Sequence, residues 1–111
     1  MRMVIQLGSD SMGRGDEELG RRLMTSFLNL LAESETLPET VVLFNAGVKL
    51  VCEGSDLLEV LEDIEKKGVT FLACGTCLNH FNLADKVRVG RASNMLEIST
   101  AMFDADKVVP L

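Results

Sequence analysis

A short apolar run, "TVVLFN" at residues 40–45, constrains the fold more than any other feature of the sequence. Its residues are mostly β-branched or apolar and show no polar alternation. Such a run is typical of a strand buried on both faces, as in a parallel sheet. Further strands are predicted at residues 3–7 and 69–73, and segments with helical periodicity separate the three. Because parallel strands are usually joined by helical crossovers, this alternation predicts an α/β fold.

Two long helices are predicted between these strands, at residues 16–34 and 55–67. Acidic residues open the first helix, where the helix dipole favours negative charge. In the second, Ser55 is the predicted N-cap and Gly68 fits the position just past the last turn. Five apolar residues of the first helix recur at helical spacing and predict a single apolar stripe: Leu19, Leu23, Phe27, Leu30 and Leu31.

Shorter elements are predicted after the third strand. A short helix from about residue 77 ends near Asn82, and a short strand occupies residues 87–89. Asn94, with Glu97 three residues later, resembles a capping box and predicts a helix to about residue 103. Pro110 limits a last strand, at residues 107–111, to an edge or an end of the sheet.

These elements predict one α/β domain over residues 1–111. It is a three-layer α/β/α sandwich around a mostly parallel sheet of about five strands, in the flavodoxin-like or Rossmann-like class.

Composition excludes several classes of protein. With 11 Lys and Arg against 17 Asp and Glu, the net charge is -6, which argues against general nucleic-acid binding. No apolar run is long enough to span a membrane, and the N-terminus reaches polar residues too early for a signal peptide. We therefore expect a cytoplasmic protein. Its three cysteines are expected to be thiols rather than structural disulfides.

A functional site is expected at the carboxyl ends of the strands, as in other open α/β sheets. Arg14, Lys49 and Arg91 would gather positive charge there and stabilise a thiolate or persulfide anion. Asn45 is a further candidate for substrate binding. The four loops expected to meet at this edge are residues 8–15, 45–53, 74–77 and 90–94.

The first of these loops, "GSDSMGRG", is rich in glycine and precedes a helix, as a nucleotide-binding loop would. Its spacing matches neither the dinucleotide pattern nor the P-loop pattern, and nearby acidic residues would repel phosphate. We expect no bound cofactor.

Two cysteines in "CGTCL", Cys74 and Cys77, follow the third strand and leave several interpretations open. Structural zinc usually takes four ligands, and only Cys52 and His80 remain to complete the pair. Because the sequence has no second Cys-x-x-Cys, we expect no metal. Thioredoxin-like chemistry lacks a suitably placed proline. A sulfur carrier would accept sulfane sulfur on Cys74, and Cys77 would resolve the persulfide or protect the thiol. Buried free cysteines are the remaining interpretation, which we favour for Cys52, while His80 is interpreted as a helix-surface residue.

Several stretches resemble the DsrE/DsrF/TusD-like sulfur-relay superfamily, and most closely the C-terminal domain of the YedF-like selenium-metabolism proteins. They are "MGRGDEELG", "NAGVKL", "EGS", "CGTCL", "ADKVRVG" and "SNM". The resemblance implies a flavodoxin-like α/β fold assembled into oligomers. It matches Cys74 to the sulfur-accepting cysteine and makes Cys77 an additional cysteine. It also implies a TusA-like carrier protein as the sulfur donor.

The leading hypothesis is therefore a cytoplasmic, sulfurtransferase-like relay protein for sulfur or selenium that carries sulfane sulfur as a persulfide on Cys74, with Cys77 as its partner. The alternative is a non-catalytic assembly or redox-sensing regulatory subunit of the same fold. The two differ in the pKa expected for the thiol, which transfer chemistry requires to be lowered.

Overall fold

A single parallel sheet organises the molecule in the computed structural model, which describes all 111 residues. Its strands lie in the order β4-β3-β2-β1-β5, and every neighbouring pair is parallel. The α/β class and the five-stranded sheet are therefore confirmed. The strands are β1 Met3–Leu7, β2 Thr40–Leu43, β3 Thr70–Cys74, β4 Arg91–Ser93 and β5 Lys107–Pro110.

Four α-helices and one 3-10 helix connect the strands. The 3-10 helix, Asn45–Val51, occupies the segment predicted as a loop after β2. The predicted cap Asn94 accepts a hydrogen bond from Glu97 N–H at 2.8 Å. Asp16, which the sequence places in the first turn of the first helix, is instead its N-cap and accepts a hydrogen bond from Leu19 N–H at 2.8 Å. The α-helices are α1 Glu17–Glu33, α2 Leu58–Lys66, α3 Gly75–His80 and α4 Met95–Phe103.

The strand order explains the three layers. From β1 to β4 the chain steps in one direction across the sheet, and it then returns to place β5 on the other side of β1. Right-handed crossovers put α1 and α2 on one face and α4 on the opposite face. A reversal beside β1 is the arrangement of the Rossmann order, 3-2-1-4, rather than of the flavodoxin order, 2-1-3-4-5.

The two faces of the sheet differ in polarity. Residues paired in register share a face, and Thr40, Thr70 and Leu72 line a groove together with residues of α4. This "α4 face" also carries Cys74 and the half-buried Gln6. The opposite "α1/α2 face" is apolar and buried at its centre, where its residues are Ile5, Leu7, Val41, Leu43, Phe71 and Ala73.

The stripe predicted for α1 is wrong in its orientation. Helix α1 buries Gly20, Met24, Leu28 and Leu31, so only Leu31 of the predicted set lies in the core. Three of the others are exposed: Leu19 at 53%, Leu23 at 44% and Leu30 at 70%. Gly20 sets this rotation, because a Cβ at that position would lie 2.8 Å from Ser11 Cβ. Gly20 therefore faces the loop after β1, and the leucine stripe faces outwards.

The strand predicted at residues 87–89 is also misplaced. Val87 makes one isolated antiparallel bridge with Cys52, and β4 begins only at Arg91. The chain turns at Gly90, whose φ is 70°, and a side chain there would overlap the carbonyl oxygen of Phe71. Pairing with β3 therefore starts after the glycine.

Helix boundaries shift by a few residues from the sequence-based expectations. Helix α2 begins at Leu58, because Ser55 accepts a hydrogen bond from Leu57 N–H in the preceding turn at 3.1 Å. Helix α3 begins at Gly75, before the expected start, while Asn82 does adopt the expected left-handed φ, at 58°. No helix is both long enough and apolar enough to cross a membrane.

Candidate functional site

The junction of β3 and α3 brings the two cysteines together. Cys74 is the last residue of β3 and is 3% exposed, whereas Cys77 lies in the first turn of α3 and is half-buried. Gly75 allows this sharp transition, because a Cβ there would lie 2.9 Å from the carbonyl oxygen of Ser93. The more accessible sulfur of the pair is therefore that of Cys77.

A backbone amide from a distant segment contacts the Cys77 sulfur. Asn45 N–H donates a hydrogen bond to Cys77 Sγ with an N to S distance of 3.0 Å, although the two residues are 32 positions apart. Asn45 begins the 3-10 helix after β2 and has a left-handed φ of 50°. Its own side-chain Oδ1 accepts a hydrogen bond from Ala46 N–H at 2.9 Å. The carboxyl ends of β2 and β3 thus meet at one sulfur.

Three influences set the ionisation of Cys77. Burial raises the pKa of the Cys77 thiol above its ordinary value, and the neighbouring Cys74 thiol raises it further. The Asn45 N–H acts in the opposite direction, because it favours the thiolate. Burial has the largest effect, so the thiol form is favoured, contrary to the lowered pKa expected of a transfer thiol.

None of the three candidate cations contributes to the pKa of Cys77. Arg91 lies at the start of β4 and forms a bidentate pair with Glu97 at 2.7 and 2.6 Å. Hydrogen bonds from Arg91 and Ser93 lower the pKa of Glu97 to about 2. Arg91 therefore forms its ion pair with a residue of α4 and does not bond to the thiols.

Lys49 and Arg14 lie elsewhere. The ammonium group of Lys49 sits 4.6 Å from the ring centroid of Phe81, in a cation–π contact just past α3. Arg14 is exposed between two glycines with positive φ and forms no ion pair. The structure thus brings Asn45, Cys74 and Cys77 together, while no hydrogen bond joins Arg14, Lys49 or Arg91 to these residues.

The remaining residues considered in the sequence, Cys52 and His80, make contacts typical of structural residues. Cys52 is 1% exposed, and its Sγ donates a hydrogen bond to Val48 O at 3.2 Å. Burial raises the pKa of Cys52. His80 is exposed and meets Phe81 edge-on at 5.1 Å between ring centroids. No group of three or more His, Cys, Asp and Glu side chains lies close enough together to hold a metal ion.

A cleft of about 530 Å³ lies beside this region. Lys49 and Phe81 line it together with Cys52, and Arg21 and Asp10 contribute from the other side. Neither Cys74 nor Cys77 is among its lining residues. The cysteine pair therefore does not line this cleft.

Comparison with known proteins agrees with the sequence resemblance. The model of the DsrE/DsrF-like family matches residues 10–111 of the chain.

The chain belongs to the DsrE/DsrF-like family.

Solved structures share this fold over almost the whole chain. The ychN protein from E. coli superposes with a TM-score of 0.73 at 19% identity, covering 99% of this chain and 98% of that chain. MTH1491 from Methanobacterium thermoautotrophicum has a TM-score of 0.70 at 22% identity, covering 99% and 98%. BT1422 from Bacteroides thetaiotaomicron has a TM-score of 0.70 at 15% identity, covering 99% and 94%. None of the curated proteins matches the sequence. The DsrE-like fold is confirmed.

Within this DsrE-like fold, the contact between Asn45 N–H and Cys77 is the part of the site that sequence reasoning missed. The sequence makes Asn45 a candidate for substrate binding in the loop after the second strand, and it predicts no contact between Asn45 and Cys77. The motif "NAGVKL" carries the relevant pattern: Asn is one of the few residues that tolerate a left-handed φ, and Gly47 follows it.

Proposed function

We propose that this DsrE-like protein is a sulfur-relay protein that carries sulfane sulfur as a persulfide on the Cys74 and Cys77 pair. The observation that carries the proposal is the meeting of two free thiols at the end of β3, with a backbone N–H donated to the accessible one. Membership of the DsrE/DsrF-like family supports the same chemistry. The partial exposure of Cys77 lets a donor approach, as exchange between sulfur atoms requires.

Cys77 is the proposed first acceptor. Resemblance matches Cys74 to the sulfur-accepting cysteine, but Cys74 is 3% exposed whereas Cys77 is half-buried. Attack on a donor persulfide requires the nucleophilic sulfur to reach the donor's outer sulfur, which favours the more accessible thiol. Cys74 is then the second thiol, placed to act on whatever Cys77 has received.

The proposed steps balance without any further oxidant. The Cys77 thiolate attacks the outer sulfur of the donor persulfide, the donor S–S bond breaks, and the donor leaves as a thiolate. Transfer onward repeats this exchange with an acceptor thiolate. Alternatively, the Cys74 thiolate attacks Cys77 Sγ, which forms a Cys74–Cys77 disulfide and releases hydrosulfide. In that branch two thiolate sulfurs are oxidised and the sulfane sulfur is reduced.

The donor that we propose is a TusA-like carrier protein, with the relay in the cytoplasm, as the sequence resemblance implies. A selenium version of the exchange follows from the resemblance to YedF-like proteins. Both suggestions are tested by offering the purified protein a TusA-like persulfide, free cysteine persulfide and a selenium analogue in parallel, and comparing the initial rates of loading.

Intact mass measurement tests the central proposal. After incubation with cysteine persulfide, we expect wild-type protein to gain the mass of one sulfur atom. Cys77→Ser should lose most of this adduct, and Cys52→Ser should retain it as the matched control. An absence of both this adduct and a Cys74–Cys77 disulfide on wild type, or an equal adduct in Cys74→Ser, Cys77→Ser and the double variant, would contradict the proposal.

The second candidate function is a non-catalytic assembly or redox-sensing subunit. One observation favours it: burial raises the pKa of Cys77, which leaves little thiolate at neutral pH. In this case the pair forms a disulfide under an oxidant such as diamide but takes no sulfur from persulfides. Comparing the two reagents on the same sample by intact mass separates the functions.

We propose self-association as well, through the exposed stripe of α1 formed by Leu19, Leu23 and Leu30. Contiguous exposed apolar side chains of this size are typical of protein interfaces. The proposed occupant is a second copy of the chain. Sedimentation velocity should show an assembly in wild type that the double variant Leu23→Glu/Leu30→Glu dissociates. Leu96→Glu, at an exposed leucine of α4, is the control that should leave it intact.

A further inference from the structure

We propose that Asn45 is a positioning residue of the thiol site: its left-handed backbone holds its N–H against Cys77 Sγ and stabilises the thiolate that attacks the donor. The inference rests on the proposed use of Cys77 as a sulfur acceptor. It concerns the backbone amide, whereas the Asn45 side chain acts only by holding that amide in place.

The conformation of Asn45 is unusual for a residue with a side chain. Its φ is 50°, in the left-handed region that costs most residues about 1–2 kcal/mol. Asparagine tolerates this region because its short side chain can bond to nearby backbone. Here Oδ1 accepts the Ala46 N–H, so the side chain supports the turn locally. The N–H of Asn45 itself is thereby directed away from the 3-10 helix and towards α3.

Gly47 fixes this turn against the end of β1. Its N–H donates to Phe44 O at 3.0 Å, and Phe44 N–H donates to Leu7 O at 3.2 Å. A side chain at Gly47 would overlap the carbonyl group of Leu7. The turn therefore packs on the carboxyl edge of the sheet. Contacts with β1 and β2, rather than with Cys77, fix the position of the Asn45 N–H.

Hydrogen-bond donors distinguish the two charge states of a sulfur. A backbone N–H bonds weakly to a neutral thiol but more strongly to a thiolate, because the acceptor is then ionised. Among the groups that act on Cys77, the Asn45 N–H is the one that lowers its pKa. No backbone N–H donates a hydrogen bond to Cys74 Sγ, so the Asn45 N–H stabilises the thiolate of Cys77 alone.

The wild-type protein allows a direct test by NMR. We expect the backbone amide proton of Asn45 to shift with pH at the same midpoint as Cys77 ionisation. Cys77→Ser should abolish that shift, and Cys52→Ser, the matched control, should preserve it. An Asn45 amide that does not respond to pH across the ionisation of Cys77 would overturn the proposal.

Two variants test whether the left-handed φ is the cause. Asn45→Gly retains both the N–H and an easily populated positive φ, whereas Asn45→Ala disfavours that φ. Alkylation by iodoacetamide, localised to Cys77 within the tryptic segment 68–86, measures the thiolate. We expect the pH midpoint of Cys77 alkylation to rise by about one unit in Asn45→Ala, the loss of roughly one charge-assisted hydrogen bond. Asn45→Gly should keep the wild-type midpoint.

Equal midpoints in Asn45→Ala and wild type, or equal shifts in the two variants, would contradict the positioning role. Circular dichroism checks the fold of each variant, and if Asn45→Ala does not fold, the amide titration of the wild type decides. Neither measurement uses a sulfur donor. A protein that accepts no persulfide would therefore contradict the proposed function while leaving the contact between Asn45 and Cys77 to be judged separately.

Discussion

Cys52 and Cys77 are two thiols that depend on the same 3-10 helix and differ in the backbone group they meet. Cys52 Sγ donates to Val48 O in the middle of that helix, a bond that requires the proton. Cys77 Sγ accepts from Asn45 N–H at its start, a bond that strengthens when the proton leaves. Burial raises the pKa of both. The direction of one hydrogen bond, together with access to solvent, therefore separates a core cysteine from a candidate carrier.

Alkylation of the native protein should show the largest contrast between the two. Cys52 is 1% exposed and reacts only when the structure opens locally, so we expect Cys77 to react at least about 100-fold faster. Iodoacetamide labelling followed by mass spectrometry of the separate peptides measures both rates in one sample. Rates within threefold of each other would show that the two environments are not distinct, and labelling in urea provides the control for equal intrinsic reactivity.

Adding a side chain at Gly47 should disturb both thiols at once, because the 3-10 helix packs closely on β1 at this glycine. Gly47→Ala forces a side chain into the Leu7 carbonyl and is expected to cost about 2 kcal/mol of unfolding free energy. The matched control is Gly8→Ala, whose Cβ would lie 3.2 Å from the ring of Phe44, a side chain that can adjust. Urea denaturation compares them; a smaller loss for Gly47→Ala than for Gly8→Ala would contradict this close packing.

Truncating each sulfur separates packing from reactivity. Cys52→Ala removes a buried sulfur and its hydrogen bond to Val48 O, which should cost about 1–2 kcal/mol. Cys77→Ala removes a half-buried sulfur and should cost roughly 0.5 kcal/mol, because solvent can satisfy the Asn45 N–H. The midpoints of chemical denaturation give both values. A costlier Cys77→Ala would indicate that its sulfur is primarily structural.

Removing the second thiol of the pair should make Cys77 more reactive. Cys74 raises the pKa of Cys77, so Cys74→Ala should lower that pKa and increase the thiolate fraction at neutral pH. We expect alkylation of Cys77 at pH 7 to be about two- to threefold faster. This increase in rate is smaller than the increase in thiolate fraction, because a thiolate of lower pKa is a weaker nucleophile. Unchanged or slower alkylation would show that the two sulfurs do not interact. Cys52→Ala is the control.

Alkaline pH should produce the smallest effect. Cys52 has a raised pKa in the folded state, so the folded protein holds the proton more tightly than the unfolded chain. The resulting stabilisation is complete below the unfolded pKa, about 8.5, and is lost as pH rises through the folded value. Melting temperature measured from pH 7 to 10 should fall less in Cys52→Ala than in wild type. An equal fall in melting temperature in the two proteins would contradict the raised pKa of Cys52.

Local features of the site were readable from the sequence. The cysteine pair is predicted at the end of the third strand because "VTFLA" precedes it, and the structure ends β3 at Cys74. The cap at Asn94 was readable because donor and acceptor are three residues apart. Arg91 was assigned to the cysteines because its loop lay near them. In the fold its partner is Glu97, which presents a bidentate carboxylate on the adjacent helix.

The sequence by itself determined most elements of this protein: apolar runs made the central strands, and capping residues made the starts of α1 and α4. These depend on interactions within a few residues, which a linear pattern records. Only the tertiary structure decided the rotation of α1, the position of β4 beyond Gly90, and the contact between Asn45 and Cys77. Each of these depends on how closely separate backbones can approach, and that distance is set by packing between elements far apart in the chain.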